Sequence, residues 1–202
     1  PDANRVKLAD TEAADDASTR VAATNADGSV LLTISVTGVA RVFDANNGER
    51  LGGRIFPIGA TKFLSGAVFP DGKRIVLGDS RGFVSIFKRE DGDWEPGPRQ
   101  TPGILAPEVR AVAVHPRGNR VISAGDGGSA LSGQIVLWEA DKLTQLKVIE
   151  TALPVTAVAF SPRDGTSFVT GHGTLLTGEA RAWFTATGAA LPGGVMRHQA
   201  EV

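Results

Sequence analysis

The chain has 202 residues, enough to bury a substantial core, and its 42% hydrophobic and 21% charged content is typical of a soluble globular protein. Its net charge of −1 provides no basic field, and no apolar run approaches the roughly 18 residues of a membrane span, so we expect no nucleic-acid or membrane partner. The absence of cysteine excludes disulfides, thiolate metal sites and cysteine nucleophiles, and leaves the cellular compartment open.

One hairpin pattern is repeated along the chain, and a glycine in its turn marks each copy. These glycines are Gly28, Gly72, Gly118 and Gly165, at separations of 44, 46 and 47 residues. An aromatic residue follows at 15, 15, 20 and 18 residues, namely Phe43, Phe87, Trp138 and Trp183. The two longer distances place insertions in the third and fourth copies.

Each repeat unit predicts four short β-strands. Runs such as "VTAVAF" and "ARAWF" are rich in β-branched and aromatic residues, and Asp-Gly, Pro and Gly turns separate them. The run "QIVLW" (134–138) is apolar at consecutive positions, which indicates burial of both faces. A unit of about 45 residues with four strands is typical of a β-propeller blade. We therefore predict an all-β propeller with four four-stranded blades, as part of a larger ring of seven or eight.

The repeats resemble those of the WD-repeat β-propeller family over about residues 20–195. "FPDG" (69–72), "HPRG" (115–118) and "SPRDG" (161–165) match that family's turn between the first two strands. Where the family carries its tryptophan–aspartate dipeptide, this chain has "RVFDA" (41–45), "SIFKR" (85–89), "VLWEA" (136–140) and "RAWFT" (181–185). The blades expected from this repeat are 21–59, 60–104, 105–150 and 151–196.

The departures from the family pattern concern its polar residues. The dipeptide aspartate is retained as Asp44, and the Gly-His pair is absent unless His198 is its remnant. The family's buried hydrogen-bond network depends on those residues. We therefore expect blades that are held mainly by apolar packing.

The two ends of the chain predict an incomplete ring. We interpret 1–20 as an N-terminal segment whose "VKL" (6–8) is the outer strand of a preceding blade, with a flexible acidic tail as the alternative. We interpret 197–202 as the start of a further blade. Bare end faces would cost on the order of 10 kcal/mol. The missing blades could come from a longer parent chain, a second chain or a second copy, or the four blades could close tightly; we favour the first two sources.

The histidines do not predict a catalytic or metal site. His115 stands in a turn, where we expect it to cap a backbone group. His172, in "TGHG", stands at a repeat position that we equate with Asp79 and Asp126 and interpret as a loop former. No histidine pair has metal-ligand spacing, and no calcium loop is present. We expect no enzyme activity, no catalytic residue, no cofactor and no metal.

The insertions predict a binding face. In the family's geometry the long segments 95–108, 125–134 and 171–179 lie on one side of the propeller, and propellers bind through such loops. The expected partner-binding residues are Ile104, Leu105, Leu131, Leu175 and Leu176, with Arg81 and Arg110 in a charged rim. The alternative is that these loops pack on one another.

These patterns favour a non-catalytic scaffold that presents its loop-rich face to a protein or peptide. One alternative is an accessory or sensor propeller of a larger enzyme or redox protein whose catalytic module lies outside this chain. A second alternative is a purely structural segment of an assembly.

Overall fold

The computed structural model describes residues 18–101, 108–129, 132–174 and 177–199, and the regular elements in these residues are β-strands. In chain order they are β1 (Thr19–Thr24), β2 (Val30–Ser35), β3 (Ala40–Asp44), β4 (Phe63–Val68), β5 (Arg74–Asp79), β6 (Val84–Glu90), β7 (Asp93–Gln100), β8 (Val109–Val114), β9 (Arg120–Asp126), β10 (Gly133–Glu139), β11 (Thr144–Thr151), β12 (Val155–Phe160), β13 (Ser167–Gly173), β14 (Thr177–Phe184) and β15 (Ala190–Gln199). Among the described residues there is no helix with the length and apolarity needed to cross a membrane.

The strands form four antiparallel sheets of consecutive strands, which we call blades 1 to 4. Blade 1 contains β1–β3, blade 2 contains β4–β7, blade 3 contains β8–β11 and blade 4 contains β12–β15. In blade 1, two isolated bridges, Ala40 to Ile55 and Phe43 to Arg50, mark the place of the fourth strand. We call the strands of a blade a, b, c and d in chain order. The predicted all-β propeller with four blades is confirmed.

The four glycines that mark the repeat all have a left-handed backbone conformation in the a–b turns. Gly28, Gly72, Gly118 and Gly165 have φ angles of 75°, 66°, 69° and 66°. Each glycine amide donates to a carbonyl near the end of strand a, on Asn25, Phe69, His115 and Ser161. Glycine adopts this left-handed region without a steric penalty. Glycine therefore recurs at this position in every blade because the a–b turn requires a positive φ there.

The core consists of three apolar layers, one at each junction between consecutive blades. We call the face of a blade toward the next blade its trailing face, and the opposite face its leading face. The trailing face of blade 1 contributes Leu32 and Ile34 to the same cluster as Ile75 and Leu77 of blade 2. Equivalent clusters join blades 2 and 3, and blades 3 and 4. Each interior blade is thus buried on both faces.

The last strand extends further than the repeat predicted. Residues 197–199, which we assigned to the start of a further blade, belong to β15 and pair with β14, with Gly178 opposite His198 and Thr177 opposite Gln199. These added pairs give backbone donors and acceptors of β14 and β15 hydrogen-bond partners. The expected outer strand at 6–8 lies outside the described residues.

Candidate interaction face

The b–c turns and the d–a connections emerge at one end of the propeller, which we call the loop face. The connection from blade 1 to blade 2, residues 56–62, runs across it. The amide of Ser80 in the b–c turn of blade 2 donates to the carbonyl of Lys62 at 2.9 Å. The amide of Phe63 donates to the carbonyl of Gly38 in the b–c turn of blade 1 at 3.3 Å. Backbone hydrogen bonds therefore anchor the C-terminal end of this connection to the b–c turns of blades 1 and 2.

Two of the seven predicted partner-binding residues belong to the part of the chain that the structure describes. Ile104, Leu105, Leu131, Leu175 and Leu176 lie outside the described residues. The two predicted arginines are described: Arg81 in the b–c turn of blade 2 and Arg110 near the start of β8, and both are exposed. They lie on consecutive blades at the loop face.

Arg110 is bound to two carboxylates. One of its terminal nitrogens lies 2.8 Å from Oδ2 of Asp126 and 3.3 Å from Oε2 of Glu108. The hydrogen bond to Asp126 is the main cause that raises the pKa of Arg110. A depression of about 10 Å³, room for about one water molecule, lies beside these residues. The positive charge of Arg110 at the loop face is therefore paired with two carboxylates.

Asp79 organises the b–c turn of blade 2. Its Oδ1 accepts hydrogen bonds from the amides of Arg81 at 2.8 Å and Phe83 at 3.0 Å. Its Oδ2 accepts a hydrogen bond from Arg99 at 3.1 Å, and the Arg99 guanidinium lies 3.6 Å from the centroid of the Phe83 ring. The buried carboxylate thus joins the turn to strand d. It fixes the backbone from which Arg81 projects.

Three large apolar side chains are exposed at the loop face of blades 1 and 2, and sequence reasoning missed them. Val36 in the b–c turn of blade 1 is 49% exposed, and Phe56 and Ile58 in the connection are 59% and 52% exposed. The sequence signal for Phe56 and Ile58 is the run "IFPIG" (55–59), in which apolar residues stand beside the turn formers proline and glycine. We call Val36, Phe56 and Ile58 the apolar patch.

His115 caps its turn as expected and also contacts the next blade. Its Nδ1 accepts a hydrogen bond from the amide of Arg117 at 3.1 Å. Its ring stands edge-on to Phe160 of blade 4, with the ring centroids 5.2 Å apart. Burial is the main cause that lowers the pKa of His115, and the positive charges of Arg120 and Arg117 add to the effect.

The interpretation of His172 as a loop residue was wrong, because it lies buried on β13. Oγ1 of Thr170 accepts a hydrogen bond from Nε1 of Trp183 at 2.7 Å and lies 2.6 Å from Nε2 of His172. In blade 3, Nε1 of Trp138 donates to Oγ of Ser123 at 2.8 Å. Apolar packing is therefore supplemented by buried polar bonds in blades 3 and 4, which we did not expect.

The His172 ring lies in an environment that disfavours its charged form. Burial is the main cause that lowers its pKa, the charge of Arg181 adds to this, and the backbone of Leu153 and the charge of Glu179 oppose it. In the part of the chain that the structure describes, no group of three or more His, Cys, Asp or Glu side chains is placed to hold a metal ion.

The comparisons with known proteins concern the fold. No family model and no curated protein matches the sequence. The structure is similar to a solved chain of Kuenenia stuttgartiensis hydrazine synthase, with a TM-score of 0.74 and 16% identity, over 94% of this chain and 52% of that one. The chain thus spans about half the length of that neighbour. Because 1377 solved chains match, the likeness identifies an architecture and not an activity.

Proposed function

We propose that this chain is a portion of a WD-repeat type β-propeller that acts as a non-catalytic scaffold and presents its loop face to a protein or peptide. The observation that carries the proposal is the apolar patch, because Phe56 and Ile58 are more than half exposed on a connection whose two ends, at Ile55 and Lys62, are held by backbone hydrogen bonds. Large apolar side chains that are exposed on one face of a protein are typical of contact sites.

The loop face that carries the apolar patch also carries two arginines, which suit a peptide partner. Arg81 projects from a turn that the buried Asp79 fixes, and Arg110 stands on the next blade, held by Asp126 and Glu108. Apolar anchors surrounded by charged groups supply affinity at the centre of an interface and orientation at its rim. The rigid strands below limit the entropy that binding removes.

Panning a random peptide display library against the purified chain tests the proposal. Enriched peptides are then titrated against the wild type, a Phe56→Ser/Ile58→Ser variant, and a Leu146→Ser/Val195→Ser control whose changes lie on outer strands. We expect the dissociation constant to rise at least about tenfold in the first variant, since truncation of a central anchor commonly costs over 1 kcal/mol. The control should bind like the wild type.

Two results would contradict the proposal. One is a library that yields no specific binder, and the other is equal binding by all three proteins. Turnover of a generic ester substrate by the wild type would contradict its non-catalytic part.

The second candidate is an accessory or sensor propeller of a larger enzyme or redox protein. It is favoured by the name of the structural neighbour, a hydrazine synthase, and by the half-length coverage of that chain. The two candidate functions differ in the kind of protein that the chain contacts. Cross-linking in an extract of the source organism, followed by mass spectrometry, would identify a catalytic domain under the second candidate and a non-catalytic peptide or protein under the first.

A further inference from the structure

The b–c turns of blades 1 and 2 have the same backbone hydrogen bond and present different side chains. In each four-residue turn the amide of the last residue, a glycine, donates to the carbonyl of the first, at 2.9 Å in 35–38 and at 3.3 Å in 79–82. The turn of blade 1 presents Val36 and the turn of blade 2 presents Arg81, and both side chains are exposed. The loop face therefore changes from apolar to basic between two neighbouring turns.

Lys62 lies between these two turns. A β-carbon on Gly38 would fall 2.6 Å from Cβ of Lys62, so the lysine side chain begins directly beside the turn of blade 1. The carbonyl of Lys62 accepts a hydrogen bond from the amide of Ser80 at 2.9 Å, and its amide donates to Oγ of Ser80 at 3.2 Å. Arg81 is the next residue after Ser80, and consecutive Cα atoms are about 3.8 Å apart. Lys62 is therefore a second cation beside Arg81.

The apolar patch lies within a short distance of Lys62. The amide of Thr61 donates to the carbonyl of Gly59 at 2.9 Å, which folds the connection into a γ-turn between Ile58 and Lys62. Four residues span at most about 14 Å when fully extended, and the turn shortens that distance. Val36 belongs to the turn that Lys62 contacts. An extended peptide of about five residues is therefore long enough to contact the patch and the cations together.

Neither cation is neutralised within the described part of the chain. Three segments form this part of the loop face: 35–38, 56–62 and 79–83. Lys62 and Arg81 are exposed, and neither forms an ion pair in the described residues. The one acidic residue of the three segments is Asp79, which is 2% exposed and bound to Arg99. These segments therefore present a positive surface to solvent.

Arg110 differs from this pair, although it lies on the same face. Its guanidinium is already bound to Asp126 and Glu108, so one cation stands against two carboxylates. A further carboxylate would be repelled by the two that are present. The positions that suit an anionic group are therefore those of Lys62 and Arg81.

We propose that the loop face binds an acidic peptide segment, with apolar side chains on the apolar patch and a neighbouring carboxylate at Lys62 and Arg81. This inference rests on the proposed function and names the chemistry of its partner. Complementary charges beside an apolar contact fix the orientation of the bound chain and exclude partners of the wrong sign. Two cations neutralise too few phosphates for strong binding of nucleic acid, and the net charge of −1 adds no basic field.

The first test compares peptides on the unaltered protein. A random library of peptides of about twelve residues is panned against the full chain, and we expect the enriched peptides to contain Asp or Glu beside apolar residues more often than the starting library. One enriched peptide is then synthesised in two forms, as selected and with each Asp and Glu replaced by Asn and Gln. We expect the amide form to bind at least about fivefold more weakly, because it loses two exposed ion pairs.

The second test compares protein variants. The Lys62→Gln/Arg81→Gln variant should bind the acidic peptide at least about fivefold more weakly than the wild type and the amide form equally well. The control, Lys73→Gln/Arg117→Gln, removes the same two kinds of exposed cation from a–b turns at the opposite end and should bind like the wild type. Raising the salt concentration from about 50 to about 500 mM should weaken binding of the acidic peptide to the wild type and not to the first variant.

The outcomes separate this proposal from the proposed function. Peptides that need Phe56 and Ile58 but are not acidic, or that bind the Lys62→Gln/Arg81→Gln variant as tightly as the wild type, overturn this proposal and leave the proposed function intact. A library without binders overturns both. Binding of oligothymidylate, or of vesicles of phosphatidylserine and phosphatidylcholine, that the same variant abolishes would assign the two cations to phosphate groups and overturn the peptide assignment.

Discussion

Gly165 lies directly against His115, so closely that a β-carbon on Gly165 would fall 2.1 Å from Nε2 of the histidine. The contact joins the a–b turn of blade 4 to the a–b turn of blade 3. It combines two requirements at one residue, the positive φ of the turn and the absence of a side chain at the junction. Blade stacking and turn conformation are therefore coupled at this position.

Replacing this glycine tests that coupling. We expect Gly165→Ala to lower the free energy of unfolding by about 1–2 kcal/mol for the left-handed conformation, and by about 1–3 kcal/mol more for the clash with His115. Gly28→Ala is the matched control, since its φ of 75° is similar and nothing lies within 4 Å. Urea denaturation of both variants measures the difference. Equal losses would contradict a steric role for the junction.

The hydroxyl of Thr170 satisfies two buried groups, Nε1 of Trp183 and Nε2 of His172. Thr170→Val keeps the shape of the side chain and removes both bonds, so we expect a loss of about 1–3 kcal/mol in the free energy of unfolding. Thr170→Ser should restore most of it. Ser123→Ala is the comparison in blade 3, where one donor loses its partner, and should cost less. A Thr170→Val variant as stable as the wild type would refute this account.

Asp79 supports the turn that carries Arg81. Asp79→Ala leaves the amides of Arg81 and Phe83 and the guanidinium of Arg99 without their acceptor, and we expect a loss of about 3–5 kcal/mol, as for one partner of a buried ion pair. Asp79→Asn keeps an oxygen for the two amides and should lose less. Guanidinium denaturation ranks the variants. If Asp79→Asn lowers the free energy of unfolding as much as Asp79→Ala does, the ion pair with Arg99 contributes more to stability than the hydrogen bonds to the turn.

The two buried histidines predict that stability falls in mild acid. Both have a pKa lowered by burial, whereas in the unfolded chain histidine titrates near about 6.5. The unfolded chain therefore binds more protons, so their contribution is complete above about pH 6.5 and decreases as the pH falls toward the folded pKa values. Urea denaturation at pH 7.5 and pH 5 should show a lower free energy of unfolding at the lower pH.

Variants identify the groups responsible for that pH dependence. His172→Gln, and separately His115→Asn, should each reduce the difference between the two pH values. Asp27, Asp93 and Asp164 have a pKa below the ordinary value and stay ionised across this range, so they do not contribute to it. An unchanged difference in both variants would contradict the assignment.

The candidate site was predictable in its location and less so in its residues. The repeat placed Arg81 and Arg110 at the loop face because strand order alone determines where b–c and d–a segments emerge. The ladders put His172 in register with Asp79, as the repeat predicted, but with Gly125 and not Asp126 in blade 3. The prediction of a loop residue was wrong because β13 continues through His172 to Gly173. The residue at which a strand ends depends on pairing with the neighbouring strand, and the residues of the strand itself do not determine that pairing.

The sequence by itself determined the repeat, its four left-handed turns and the strands of each blade, because φ preference and β-propensity act within a single unit of about 45 residues. What only the tertiary structure decided is which surfaces are covered. Ile122 and Val169 have the same register in similar strands, yet one is fully buried and the other is 45% exposed. Burial depends on the next blade, and a residue pattern within one blade does not specify its neighbour.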